Sequence, residues 1–268
     1  MGEPDTVLFL REGNVAIISL NRPDRLNAVG GDMLERLMER GREAAEDPSV
    51  AAVVFTGEGR AFCAGADLQA PAARGGAPAT PMRERFPIRP DTGWPASWFG
   101  LSIPKPVVAA INGAAVGWGA EMLATCDMRV AGESGRMGWV FARRGLVTDM
   151  AVGPTLLPRI VGIPQAARLL YSGEVVDARE ALRIGLVDEV VPDAELRERA
   201  VALAHRLGGG APNSIAVHKR QIYGTLRRDP HEIYLENLDE FARTMASEDF
   251  KEGVRSFLEK REPAWTGR

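Results

Sequence analysis

Asn112-Gly113-Ala114-Ala115-Val116-Gly117-Trp118-Gly119-Ala120-Glu121 follows an aliphatic run, Val107–Asn112, and leads into another, Gly119 to Thr125. Branched and small apolar residues closed by Asn-Gly predict a buried strand and a turn, and the second run predicts a short buried helix. Ala61-Phe62-Cys63-Ala64-Gly65-Ala66-Asp67-Leu68 repeats the theme just after the strand candidate Val50–Thr56. Strand, glycine-rich turn and helix in alternation predict an α/β fold. Small residues at such turns let backbone approach a ligand closely, and free N–H groups at a helix start can donate to an anion. Two turns of this kind can converge on one oxygen atom. The plainer reading, that the glycines only make tight turns, stands beside it.

Outward from these turns the pattern continues. Thr6–Leu10 and Val15–Leu20, around Glu12-Gly13-Asn14, predict a hairpin, and Asn21-Arg22-Pro23-Asp24 predicts a turn. Met33, Leu34, Leu37 and Met38 set the apolar face of a helix over Asp32–Glu46. Asp127–Ala131 predicts a strand, Pro164 opens a helix that Gly173 stops, and Asp177 with Glu180 resembles a capping box. Leu186–Val191 predicts the last strand. Beyond Asp193 the pattern is helical over 193–207, 212–227, 231–247 and 248–260. The division expected is an α/β core over residues 1–195 and a helical region over 196–268. Gln69–Gly100, rich in Pro, Ala, Gly and Arg, predicts a long loop of functional importance or disorder.

Composition narrows the class. Of 268 residues, 45% are hydrophobic and 26% charged, so a disordered chain is excluded and a sizeable core expected. A formal net charge of -3 disfavours nucleic acid as the main partner. Cys63 and Cys126 cannot build a disulfide framework or a metal knuckle, and a reducing cytoplasm is expected. Met1–Leu10 carries Glu3 and Asp5 without a basic segment, unlike a signal peptide. The longest apolar stretch, Val107–Cys126, contains Asn112, Gly113, Gly117, Gly119 and Glu121, and so makes a poor membrane span.

Elimination brings the chemistry down to carboxylates. Gly117-Trp118-Gly119 offers two glycines of a dinucleotide fingerprint, but Met122 holds the third position. The histidines are His205, His218 and His231, all in the helical tail, and no G-x-S-x-G, HExxH or CxxC occurs. Serine–histidine catalysis and zinc therefore lack their parts, and no metal site is expected. Glu121 and Asp149 each lie amid apolar residues. A carboxyl in an apolar setting has a raised pKa and exchanges protons near neutrality. The alternatives are that Glu121 caps or pairs with a cation and that Asp149 begins a helix.

In this order the motifs resemble the enoyl-CoA hydratase/isomerase family, the crotonase superfamily. The resemblance is carried by Leu20-Asn21-Arg22-Pro23, Arg25-Leu26-Asn27-Ala28, Ala61–Leu68, Pro104–Ile111, Gly113–Glu121 and Lys251–Arg261. It implies a spiral of ββα units with a C-terminal helical trimerisation region, and a homotrimer or a dimer of trimers. It implies an acyl-CoA thioester as substrate, with coenzyme A as part of that substrate and no separate cofactor. Neither nucleic acid nor membrane is an expected partner.

The resemblance also implies roles. The amides of Ala64 and Trp118 would hold the thioester oxygen as it becomes an enolate; relatives commonly have glycine where Trp118 stands. Coenzyme A-substrate contacts would fall on Arg25, Leu26, Ala28, Ala64, Gly65, Ala66, Asp67, Leu68, Gly117 and Phe141, with Phe257 and Lys260 from a neighbouring subunit. Asp67 and Leu68 match the adenine pocket of relatives, and the segment with Trp94, Trp98 and Phe99 would border the acyl tail. Glu121 matches the first of two glutamates that hold water in the hydratases. The second falls at Phe141, which cannot activate water, whereas Asp149 matches a carboxylate used by isomerases of the superfamily. The expected function is enoyl-CoA double-bond isomerisation, with Asp149 as proton shuttle and Glu121 assisting. Enoyl-CoA hydration and acyl-CoA binding without turnover are the alternatives.

Overall fold

The computed structural model describes residues 5–67, 88, 93–95 and 97–268. Leu68 and most of the Pro- and Gly-rich segment after it lie outside the described residues.

Two sheets organise the chain. The larger has the order β1(Val7–Glu12), β2(Val15–Leu20), β3(Ala52–Gly57), β5(Val107–Ile111), β7(Met128–Gly132), β10(Glu189–Val191). The smaller has the order β4(Ala61–Cys63), β6(Ala114–Val116), β8(Arg136–Gly138), β9(Val175–Asp177). The β1–β2 and β8–β9 pairs are antiparallel and the other pairs are parallel. Each of β3–β4, β5–β6 and β7–β8 sends its first strand to the large sheet and its second to the small one. Helices α3(Trp118–Ala124) and α4(Val152–Ser172) follow β6 and β8. This is a spiral of ββα units, as the resemblance implies.

Alternation along the strands explains the core. On β2, Val15 and Ile17 join Val54, Val108 and Ala110 against α6(Leu196–Leu207), which supplies Leu196, Ala200, Leu203 and Ala204. Ala16, Ile18 and Leu20 face the opposite cluster, with Met33, Leu34 and Leu37 from α1(Met33–Glu46). A strand buried on both faces reads as a continuous apolar run, which is how β2, β3 and β5 appear in sequence.

Two expectations shift. The helix opened by Pro164 is only the second half of α4: its first half starts at Val152, and Gly162, at φ 77°, makes the kink between them. The last strand shrinks to Glu189–Val191, because Leu186 and Val187 turn into the core instead of pairing. The Asp177 cap holds, with its carboxylate accepting from the Glu180 amide at 2.8 Å at the start of α5(Ala178–Arg183). A short α2(Phe99–Ser102) precedes β5, and α7(Pro212–Gly224), α8(Pro230–Met245) and α9(Glu248–Glu259) complete the tail. Among the described residues no helix is long and apolar enough to cross a membrane.

Candidate active site

Strands β4, β6 and β8 are parallel neighbours, so the segments leaving their C-terminal ends emerge together. Those segments are Ala64–Asp67, Gly117–Glu121 and Trp139–Phe141. Gly117, at φ 58° and ψ -117°, lets the chain turn from β6 into α3, and its amide donates to the Gly138 carbonyl at 2.9 Å. A methyl built on Gly65 would stand 3.8 Å from the Trp118 nitrogen, and one on Gly117 would stand 3.8 Å from Gly65 Cα. The two glycine-rich turns therefore face each other.

The donors in this cleft differ from the expectation in one place. The Ala64 amide donates to the Leu26 carbonyl at 3.0 Å, so it is spent within the fold and cannot hold a ligand oxygen. Val29 donates to the Gly65 carbonyl at 2.8 Å and accepts from the Asp67 amide at 2.9 Å. In a parallel bridge of this kind the residue between, Ala66, turns its own N–H to the other side. Among the described residues no partner is seen for the Ala66 amide or for that of Trp118. Trp118 is the first residue of α3, ahead of the first helical bond, Glu121 N–H to Gly117 O at 3.0 Å. Its indole is packed into the core, with Trp118 only 5% exposed.

The expected coenzyme A segments are brought side by side. Leu26 and Asn27 both adopt positive φ, 52° and 55°. Buried Asn27 stabilises that turn, with its side-chain amide donating to the carbonyls of Glu58 (2.9 Å) and Ala61 (2.7 Å) and its oxygen accepting from the Arg22 amide at 2.8 Å. The same bonds tie Arg25–Ala28 to β4. Arg22 reaches the Ala28 carbonyl at 2.7 Å and Asp67 at 3.1 Å, closing the rim. Arg25 is exposed on the outside of this turn. Phe257 and Lys260 stay apart from it: they sit at the end of α9, with Phe257 82% exposed.

Glu121 is completely buried on α3. Its Oε1 accepts from Trp139 Nε1 (2.7 Å) and the Gly153 amide (2.7 Å), and its Oε2 from the Val152 amide (2.9 Å). Val152 and Gly153 begin α4, so the carboxylate seats that helix by its positive end. Burial raises the Glu121 pKa to about 7 against these hydrogen bonds, and the charge of Asp149 adds to the rise. The carboxylate thus does act as a cap, one of the alternatives open at the sequence level.

Asp149 does not begin α4 directly; Met150 and Ala151, the latter at φ 57°, intervene. It is exposed at the mouth, but enough protein crowds its carboxyl to raise the pKa to about 6, partly offset by bonds from its own amide and that of Met150. The turn it starts runs straight into Val152 and Gly153 on Glu121, which places it beside the same cleft. Phe141 lies there too, with its Cζ 4.0 Å from a methyl built on Gly117. The family model described as enoyl-CoA hydratase/isomerase matches residues 11–268.

The chain belongs to the enoyl-CoA hydratase/isomerase family. It is similar, at 36% identity over 98% of both chains, to a probable enoyl-CoA hydratase of Rhodobacter capsulatus. It is 32% identical, over 97% of both, to a short-chain-enoyl-CoA hydratase of Clostridium acetobutylicum. An enoyl-CoA hydratase structure from Bacillus anthracis superposes with a TM-score of 0.86 at 29% identity, covering 98% of this chain and 100% of that one. As a member of the hydratase/isomerase family, the protein is an acyl-CoA enzyme.

Sequence reasoning missed Trp139, and for Trp98 it foresaw only a place beside the acyl tail, not a hydrogen bond to the Asp149 turn. Trp139 carries a hydrogen bond to Glu121, and Trp98 donates to the Met150 carbonyl at 2.9 Å. Neither has a motif around it; the available signal was an indole in an apolar segment, whose N–H needs a partner when buried. Phe99, from the same segment as Trp98, packs against Phe55 at 4.8 Å in the core instead of at the cleft.

Proposed function

We propose that the enzyme moves a double bond along an acyl chain held as its coenzyme A thioester. Coenzyme A enters this reading as part of the substrate. Asp149 takes a proton from C2 of a 3-enoyl thioester, and the electron pair shifts onto the thioester oxygen to give a dienolate. The amides of Ala66 and Trp118 stabilise that oxygen; one such donor contributes about 3–4 kcal/mol to lowering a barrier. The same carboxyl then returns the proton to C4, the electrons re-form the carbonyl, and the 2-enoyl thioester leaves. With a pKa of about 6, Asp149 is mainly ionised at neutral pH and remains a competent base.

The observation that carries this reading is the division between the two carboxyls. Glu121 is buried with three protein donors on it, whereas Asp149 stands accessible at the same cleft. Phe141 adds to it, since a phenyl ring beside Gly117 offers a water nothing to bind. In this reading Glu121 orients α4 and, through it, Asp149. The exposed apolar face of α8 and α9, with Leu235, Leu238, Phe241, Val254 and Phe257, is where subunits of a trimer would meet.

Hydration is the second reading, favoured by the hydratase names of the relatives and by the single donor on Glu121 Oε2, which leaves a lone pair for water. Purified enzyme with 3-enoyl-CoA and with crotonyl-CoA separates the two. The expected result is isomerisation lost in Asp149→Asn. Rapid hydration of crotonyl-CoA, abolished in Glu121→Gln but kept in Asp149→Asn, overturns it.

A further inference from the structure

We propose that Trp98 is a positioning residue for Asp149, holding its carboxyl at the cleft through the Met150 carbonyl. The inference rests on the reading of Asp149 given above for its catalytic consequence, but not for its geometry.

Residues 149–151 form a turn that would not keep this shape alone. Ala151 sits at φ 57°, a left-handed conformation that an alanine adopts at a cost. On its far side the turn is fastened by the Val152 and Gly153 amides on Glu121, at 2.9 and 2.7 Å. On its near side the fastening is the Trp98 indole, whose Nε1–H donates to the Met150 carbonyl at 2.9 Å in a buried setting. Met150 is joined directly to Asp149 in the chain, so holding its carbonyl also limits where the Asp149 carboxyl can lie. The residue peptide-bonded to the proton carrier therefore receives a bond from Trp98.

Trp98 is itself braced. It stacks on Trp94 with ring centroids 5.4 Å apart and planes 11° from parallel. The Arg227 guanidinium lies 4.1 Å from the centre of the Trp94 ring and donates to the Gly93 carbonyl at 2.7 Å. Arg227 follows α7, so the C-terminal helical region reaches the turn through two stacked indoles. A stack of this kind fixes the direction of the Trp98 N–H, which a lone indole would leave free to swing. Buried Met150 O has one strong donor, and losing it leaves the carbonyl unsatisfied, so the turn must move to recover a partner.

The test uses Trp98→Phe, which keeps an aromatic ring on Trp94 and removes the N–H. The first readout is the titration of the Asp149 carboxyl, followed by carbon-13 NMR in protein labelled at aspartate and assigned as the signal missing from Asp149→Asn. The groups facing that carboxyl are Glu121 on α3 and Cys63 on β4, and both stay in place in the variant. The expected result is a midpoint that moves, together with a fall in kcat for 3-enoyl-CoA of about tenfold at nearly unchanged KM, the signature of a displaced group and not of lost binding. Arg227→Met, on the surface, should move both readouts in the same direction by less. A midpoint unmoved in Trp98→Phe overturns the proposal whatever happens to kcat or thermal stability. A moved midpoint with full turnover in Asp149→Asn keeps the positioning role and removes Asp149 as the proton carrier.

Discussion

Asp149 and Glu121 are the same functional group in two settings, and their difference is one of access. Glu121 has no exposed surface and three donors, while Asp149 has solvent on one side and crowding on the other. A base must be ionised to work, so with a folded pKa of about 6 the rate should rise with pH through about 6 and level off above it. Asp149→Asn should lower kcat for 3-enoyl-CoA by about 10²–10⁴ and abolish that rising limb; a pH–rate profile of both proteins checks it. The two carboxyls were legible in sequence because an acid amid apolar residues is conspicuous. The free amide of the first glycine-rich turn was not. Ala64 and Ala66 flank the same glycine, and which amide is free depends on Leu26 and Val29, which pair with this turn from far along the chain.

At the scale of elements, the cleft is built by strands almost too short to see. Val15–Leu20, Ala52–Gly57 and Val107–Ile111 are apolar but for Ser19 and Thr56 and announce themselves in sequence. Ala61–Cys63, Ala114–Val116, Arg136–Gly138 and Val175–Asp177 are three residues each, too brief for a period of two to show. Their pairing nevertheless decides which turns meet. The seating of α4 is similarly compact. A methyl on Gly153 would lie 2.8 Å from Glu121 Oε1, 2.9 Å from Leu170 Cδ2 and 3.0 Å from Trp139 Cδ1. Gly153→Ala should therefore push the helix start off its carboxylate, destabilise the fold by about 1–3 kcal/mol and lower kcat through Asp149. Thermal unfolding with steady-state kinetics measures both; an unchanged melt and rate would mean that the helix is not seated this way.

Across the whole molecule a buried cation adds to the apolar packing that holds the helical region on the core, and a buried acid couples the site to stability. Lys219 on α7 donates to Asp127 (2.7 Å), to the Gly100 carbonyl (2.7 Å) and to the Lys105 carbonyl (2.9 Å), and Tyr223 also reaches Asp127 at 2.9 Å. Lys219→Met leaves those acceptors without their cation, so unfolding free energy should drop by about 3–5 kcal/mol, read from urea denaturation. Glu121 acts on stability through linkage. Its pKa is about 7 in the fold, against a reference value of 4.5. The folded state thus holds the proton more tightly than the unfolded chain, and the ionised form is the one that folding penalises. This contribution is most favourable below about pH 4.5 and is progressively lost as pH rises through 7. Between pH 5 and 8 the loss amounts to about 2–3 kcal/mol. Glu121→Gln cannot titrate, so its urea midpoint should fall less over that range than the wild-type midpoint does, whatever the offset between them at pH 5. Parallel curves would mean that Glu121 keeps its charge throughout, and the acid would then be a fixed anchor for α4 with no proton to lend.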